Sequence, residues 1–173
     1  MLINKIFKSL NYRFNKKQKT IIKLLEDQKI LISRINSNLN KDKNLINDLS
    51  DVEFSVFSQW GEDGIINWII NQIPDINKTF VEFGVENYIE SNTRLLFQEY
   101  NWSGLIIDGD RNNINEIVSS DYYWKGDLIA INEFITTKNI NDILRNYNIK
   151  NDLGILSIDV DGNDYWLWEA IEE

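Results

Sequence analysis

The sequence predicts an α/β protein in which a parallel sheet carries helices on both faces and follows an N-terminal helical segment. Three observations lead there. From about residue 51 onward, short apolar runs alternate with stretches of helical periodicity, the pattern of strands joined by helical crossovers. Polar residues and a glycine gather where these runs end, at Gly84, Asp108 and Asp159, as in parallel sheets that bind ligands at the carboxyl ends of their strands. The chain of 173 residues is 43% hydrophobic and 12% aromatic, enough for a packed core and against global disorder.

A composition shift near Leu49–Asp51 divides the chain into a segment 1–50 and a domain 51–173. In the segment, Leu2, Ile3, Ile6, Phe7, Leu10 and Phe14 recur at helical spacing. Lys5, Lys8, Arg13, Lys16, Lys17, Lys19 and Lys23 surround them, with no acid before Glu26. Such a basic amphipathic helix fits adhesion of residues 1–24 to an anionic membrane surface or an acidic partner; the alternative is a solvated helix. Ile21, Leu25, Gln28, Ile32, Ile35, Leu39, Asp42, Ile46 and Leu49 then alternate at spacings of four and three. That is a heptad seam with two polar interruptions. It predicts either a homodimer through residues 21–49 or a long helix packed on the domain. Asn36, Asn38, Asn40 and Asn44 are weak helix formers, so the seam is expected to be imperfect beyond Ile35.

Within the domain, a helix is expected over Glu62–Ile73, with Ile65, Ile66, Ile69, Ile70 and Ile73 on one face and Pro74-Asp75 ending it. Thr79–Val85 reads as the first strand. A helix over Ser91–Tyr100 follows, with Ser91 as its N-cap. Trp102-Ser103-Gly104 turns the chain into a strand Leu105–Asp108, followed by a helix near Asn113–Ser119. Asp127–Ile131 is the third strand, Ile140–Tyr147 a helix, Leu153–Val160 the fourth strand, and Asp164–Glu172 a further helix.

Composition removes several chemistries. The chain has no cysteine, which excludes disulfides, thiolate zinc sites and cysteine nucleophiles. It has no histidine, which excludes a Ser-His-Asp triad and a histidine base, so acid–base work falls to carboxylates, lysine or tyrosine. No run of about 18 apolar residues offers a membrane span, and the N-terminus shows no secretion signal, so a cytoplasmic protein is expected. The net charge of -9 is uneven: residues 1–50 hold 11 basic and 4 acidic side chains, and residues 51–173 hold 7 basic and 23 acidic, giving +7 and -16. The acidic domain would repel phosphates, so nucleic acid is not an expected partner.

Three strand ends carry the candidate chemistry. Phe80-Val81-Glu82-Phe83-Gly84-Val85-Glu86 ends the first strand, where Gly84 permits a tight turn and Ser91-Asn92-Thr93 offers free N–H groups. A dinucleotide fingerprint needs three glycines, and Gly84 stands alone, which counts against NAD and favours a ligand without phosphate. Asp108 lies 24 residues past Gly84, about where Rossmann-type sites hold a ribose hydroxyl pair, with Asp110 nearby as a substitute. Asp159 and Asp161 follow the fourth strand. They suit a hard divalent cation or a substrate hydroxyl, while Asp161 or Asn163 also suits a helix cap.

Four motifs in order look like the FkbM-type S-adenosylmethionine (SAM)-dependent methyltransferases. They are Ser58-Gln59-Trp60-Gly61-Glu62-Asp63-Gly64, Phe80–Glu86 with Ser91-Asn92-Thr93, Trp102–Gly109, and Ser157–Trp166, spanning roughly residues 53–173. The resemblance implies a Rossmann-like class I methyltransferase fold and O-methylation of a sugar or small hydroxyl acceptor, often in bacterial glycan or natural-product pathways. It implies SAM as cofactor, with Glu82, Gly84 and Glu86 toward its methionine end and Asp108 at its ribose; Asn92 is a further candidate for binding the cofactor, and Asp159 and Asp161, from their place after the fourth strand, are the candidate catalytic residues. The Asp159–Tyr165 stretch is also similar to the segment of metal-dependent catechol-type O-methyltransferases in which the first aspartate binds Mg2+ and a lysine is the base; here Gly162 stands in the lysine's place. A class I domain has seven strands and this sequence supplies about four, so the expectation is the front half of such a domain, with the remaining strands and part of the pocket outside it.

Two other readings compete. In a metal-dependent glycosyltransferase, Asp159-Val160-Asp161 would hold a nucleotide-sugar diphosphate through a cation. In an inactive methyltransferase-like interaction module, the coiled coil would be the working part.

Overall fold

A computed structural model describes the backbone of all residues except Met1, Asn44, Lys150, Asn151 and Glu173, and the side chains of these and of residues 2–6, 9 and 10 lie outside the described set. The sequence-predicted apolar positions Leu2, Ile3, Ile6 and Leu10, and Lys5, therefore fall outside the described side chains.

The chain is α/β. Among the described residues the α-helices and strands follow in the order α1 Leu2–Asn40, α2 Glu62–Gln72, β1 Thr79–Phe83, α3 Arg94–Tyr100, β2 Ser103–Asp108, α4 Arg111–Val118, β3 Leu128–Asn132, α5 Ile140–Asn146, β4 Ile155–Ile158 and α6 Asp164–Ala170. All strand pairs are parallel, in the order β3-β2-β1-β4. The chain steps from β1 to β2 to β3 on one side and returns to pair β4 on the other side of β1. The crevice between β1 and β4 is thus the point where the winding reverses, the usual ligand position in open parallel sheets. This is the Rossmann-like arrangement.

Strand alternation sorts the core into two layers. Phe80, Ile106 and Leu128 face Leu96 and Phe97 of α3 and Ile114 and Ile117 of α4, with Ile66 and Ile70 of α2 packed beside them. Val81, Phe83, Leu105, Ile107 and Ile131 face Ile140 and Ile143 of α5 and Leu167 of α6. The central strand β1 is buried from Phe80 to Phe83, which explains its unbroken run of large residues despite a period of two.

Several boundaries move. The fourth strand ends at Ile158, so Asp159 lies in the loop after it and does not close a buried strand. The third helix begins at Arg94, and Ser91 does not cap it: its hydroxyl is taken by Glu82. The fourth helix begins earlier than expected because the Asp110 carboxylate accepts the Asn112 N–H as an N-cap. The first helix ends at Asn40, and the chain passes through a turn to a single 3-10 turn at Leu49–Asp51. Asp42, Ile46 and Leu49 therefore do not extend the heptad seam.

α1 is joined to the domain by its second half. Lys29 Nζ donates to Val56 O, Asn40 Nδ2 to Val52 O, and Arg34 pairs with Glu99. Arg94, 2% exposed, reaches Glu26 at 3.0 Å with its guanidinium between the Phe57 and Tyr122 rings. No helix among the described residues is long and apolar enough to cross a membrane.

The loop before α2 hangs on one carboxylate. Asp63 Oδ2, on a side chain 2% exposed, accepts the N–H groups of Val56, Phe57 and Ser58 at 2.7–2.8 Å and the Ser58 hydroxyl at 3.0 Å. Gly64 sits against the same loop, where a Cβ would lie 2.2 Å from Val52 O. Asp63→Ala would strand three buried N–H groups. The expected loss is about 3 kcal/mol or more, read as a lower urea midpoint at unchanged slope.

Candidate functional site

The site is built where β1, β2 and β4 end. Gly84 follows β1 with φ +76, and a Cβ there would lie 1.7 Å from the carbonyl oxygen of Asp159. The glycine is required by the approach of the β1 and β4 loops to each other. The sequence had suggested approach to a ligand; the nearest neighbour is backbone. Asp159 N donates to Phe83 O at 3.1 Å and Gly84 N to Ile107 O at 2.9 Å, so the three strand ends are stitched across the winding-reversal point.

Two predicted ligand residues turn out to be occupied in holding loops. Glu82 is 2% exposed. Its Oε2 accepts the hydroxyls of Ser91 and Thr93, each at 2.5 Å, and its Oε1 accepts Asn92 N at 2.9 Å. Ser157 on β4 donates to the same carboxylate at 3.3 Å, and Asn92 Nδ2 reaches Ser157 Oγ at 3.2 Å. Burial pushes the Glu82 carboxyl above its ordinary range, and the donors from Ser91, Thr93 and Asn92 pull it back. Burial likewise holds the Tyr88 hydroxyl well above its ordinary value. It stays a donor and meets Thr93 Oγ1 at 2.9 Å. Glu82 thus fixes the β1–α3 loop and places Asn92 at the cavity wall.

Asp108 plays the same part at the end of β2. Its Oδ2 accepts Glu86 N at 2.8 Å, and its Oδ1 accepts Asp110 N at 2.8 Å and Asn113 Nδ2 at 3.0 Å. A carboxylate offers about four acceptor sites, so one is left for a ligand. Glu86, held with φ 46 by that bond, faces the same cavity.

Two cavities meet at Gly84, Asp108 and Val160. The first, about 370 Å³, has an apolar wall that includes Phe134, Ile135, Trp166 and Leu167. The second, about 510 Å³, is lined by the acids Glu62, Glu82, Glu86, Glu90, Asp108, Asp159 and Asp161, with Trp60 and Asn92. Trp60 and Trp166 stand in the sequence motifs without a role of their own, and the sequence does not single out Phe134; its one sign there is an aromatic two residues past the third strand.

Asp159 and Asp161 are both exposed on the rim of the acidic cavity. Partial desolvation raises the Asp159 carboxyl above the ordinary aspartate range, and the charges of Asp164, Asp161 and Glu62 push the same way. Asp161 has φ 50, and Gly162 beside it, φ +89, borders open space. Neither Asp161 nor Asn163 caps α6 with its side chain; Asp164 instead accepts Val160 N at 2.8 Å. Asp159 is exposed, so its carboxylate has water and needs no cation to offset burial. Among the described residues no three carboxylates gather into a set able to hold a metal ion. Asp159 and Asp161 line one cavity with Glu62, and their role toward a cation rests on those two rim carboxylates alone.

Comparison of the chain with protein-family models, curated proteins and solved structures finds no match.

Because Asp159 has a raised pKa in the folded state, the folded chain gives up its proton less readily than the unfolded chain. That stability is present at low pH and is lost as pH rises through the folded pKa. Asp159→Asn should therefore raise Tm at pH 7, by no more than about 4 °C after solvent screening, and should leave it unchanged near pH 3. Thermal melts at the two pH values measure the difference.

Proposed function

We propose that residues 51–173 bind SAM across the strand ends and serve methyl transfer to a hydroxyl group of a sugar or other small acceptor. The observation that carries this reading is the two-part groove: an apolar cavity and an acidic cavity joined at Gly84 and Asp108. SAM has the matching polarity, with a flat adenine at one end and a sulfonium and an ammonium at the other. Phe134, Ile135 and Trp166 would flank the ring. The remaining acceptor site of Asp108 would take a ribose hydroxyl at the junction. Glu86, Glu90 and Asn92 would face the positive end.

When bound, SAM supplies an electrophilic methyl group. The chain's part is to orient the acceptor and take its proton. In a chain without histidine or cysteine, an exposed carboxylate on the cavity rim is the available base. Asp159 suits that part because its raised pKa makes it a stronger base than an ordinary aspartate. Asp161 stands beside it on the same rim.

The glycosyltransferase reading is weaker on the same geometry. A nucleotide-sugar diphosphate would bring negative charge into a cavity lined by seven acids, and among the described residues no three metal-ligating side chains gather for the cation that would neutralise it.

Calorimetric titration decides between them. SAM is expected to bind with a dissociation constant in roughly the micromolar to millimolar range, with equal heat in EDTA. UDP-sugar with manganese is expected to give none. Asp108→Asn should weaken SAM binding by about tenfold, the worth of one hydrogen bond to a charged group. Binding of the UDP-sugar but not of SAM would overturn the proposal.

A further inference from the structure

α1 has two opposite faces. Glu26, Ile30, Ser33, Ser37 and Asn40 are buried or half-buried on the domain side. On the other side Phe7, Phe14, Ile21, Leu24, Leu25, Leu31, Ile32, Ile35 and Leu39 are each more than half exposed. At 3.6 residues per turn the two rows lie about 150° apart. The domain thus covers the more polar face of the helix and leaves its apolar seam unpartnered.

We propose that this seam pairs with the same seam of a second copy, antiparallel, about a two-fold axis near residues 22–23. The first argument is register. Residues 7, 14, 21, 28 and 35 repeat every seven, and Lys17, Leu24 and Leu31 form the companion row. The seam reads nearly the same in both directions. Ile21 of one copy meets Leu24 of the other, Phe14 meets Leu31, and Phe7 meets the Asn38–Leu39 step. The polar interruptions Lys17 and Gln28 meet each other. A parallel pair would place Lys17 against its own copy, two like charges in the seam. A membrane-facing helix would have to immerse both polar residues.

The second argument is charge. Residues 1–25 carry seven basic side chains and no acid, while residues 26–40 carry Glu26, Asp27, Lys29 and Arg34 and balance. Parallel pairing sets two strongly basic halves side by side. Antiparallel pairing lays each against the neutral half of the other copy and beside its acidic domain, which carries -16. The third argument is size. Nine apolar side chains per copy, each contributing roughly 50 Å², bury on the order of 1,000 Å² in total, the lower limit for a specific interface.

The test uses the full chain, whose lack of cysteine makes cross-linking unambiguous. Light scattering at micromolar concentration is expected to give twice the chain mass. The double variant Ile21→Glu/Leu24→Glu should be monomeric, with its domain melting unchanged, because both positions face solvent in the monomer. Gln28→Glu should tighten the dimer by about threefold or more, since the new carboxylate meets Lys17 of the other copy; in a parallel pair it would meet itself and loosen the dimer. Mixed Phe14→Cys and Leu31→Cys chains should form a disulfide with each other and not with themselves. A monomer at all concentrations would overturn the proposal. So would a Phe14→Cys chain that cross-links to itself. A chain that stays monomeric yet binds phosphatidylserine vesicles through the seam would assign the face to membrane instead.

Discussion

The structure depends on how one carboxylate is kept in the core. Glu82 stands next to last in the central strand at 2% exposure, where an unpaired charge costs several kcal/mol. The chain meets this with hydroxyls from Ser91 and Thr93, backbone N–H groups at 92 and 93, and Ser157 from the neighbouring strand. That requirement sets the path of the β1–α3 loop, and the loop sets where α3 begins. Arg94, the first residue of α3, is thereby delivered between Phe57 and Tyr122 and onto Glu26 of α1. Two sets of polar contacts, one on a buried acid and one on a buried guanidinium, are joined through the Thr93–Arg94 step of the chain and link the cavity wall to the long helix.

The acids of the domain divide into two kinds. Glu82, Asp108 and Asp63 each take three or more donors from the backbone and side chains around them, and they shape loops. Glu86, Glu90, Asp159 and Asp161 line the cavity with their oxygens largely uncommitted. The first kind holds the geometry that gives the second kind a common direction. Gly84 belongs to the same construction: its missing Cβ lets the ends of β1 and β4 come together, and the two cavities join at that point.

Much of the fold was legible in the sequence. Apolar runs at residues 79–85, 105–108 and 127–131 and the intervening helical periodicities place strands and helices within a few residues, because burial of β1 and β2 on both faces demands continuous large side chains. The four-strand order follows from parallel crossovers once β4 returns to the other side of β1. What was not legible is how polar groups find each other across the fold. Ser91 has the type and place of an N-cap, yet a carboxylate nine residues earlier claims it. Asp159 follows an apolar run as a strand residue would, yet the strand stops at Ile158, two residues sooner than expected, and leaves it exposed. Asp63 carries no local sign of the three N–H groups it gathers. In α1 the seam was legible, but not which face the domain takes. The domain takes the polar face because Arg94 needs an acid and the carbonyl of Val52 needs a donor.

Charge, more than shape, limits what the groove can hold. At an effective dielectric of about 20, a unit charge 5 Å from a carboxylate gains or loses about 3 kcal/mol, and several carboxylates act together here. Desolvation and salt reduce the sum but not its sign. A ligand that brings a positive centre to the rim is drawn in, and one that brings a diphosphate is repelled unless a cation comes with it. Holding that cation requires oxygens converging on one point. The oxygens that converge in this domain, on Glu82, Asp108 and Asp63, converge as acceptors of N–H and O–H groups. The same hydrogen bonds that build the loops thereby commit most oxygens of Glu82, Asp108 and Asp63, and leave the negative field at the rim to Glu86, Glu90, Asp159 and Asp161.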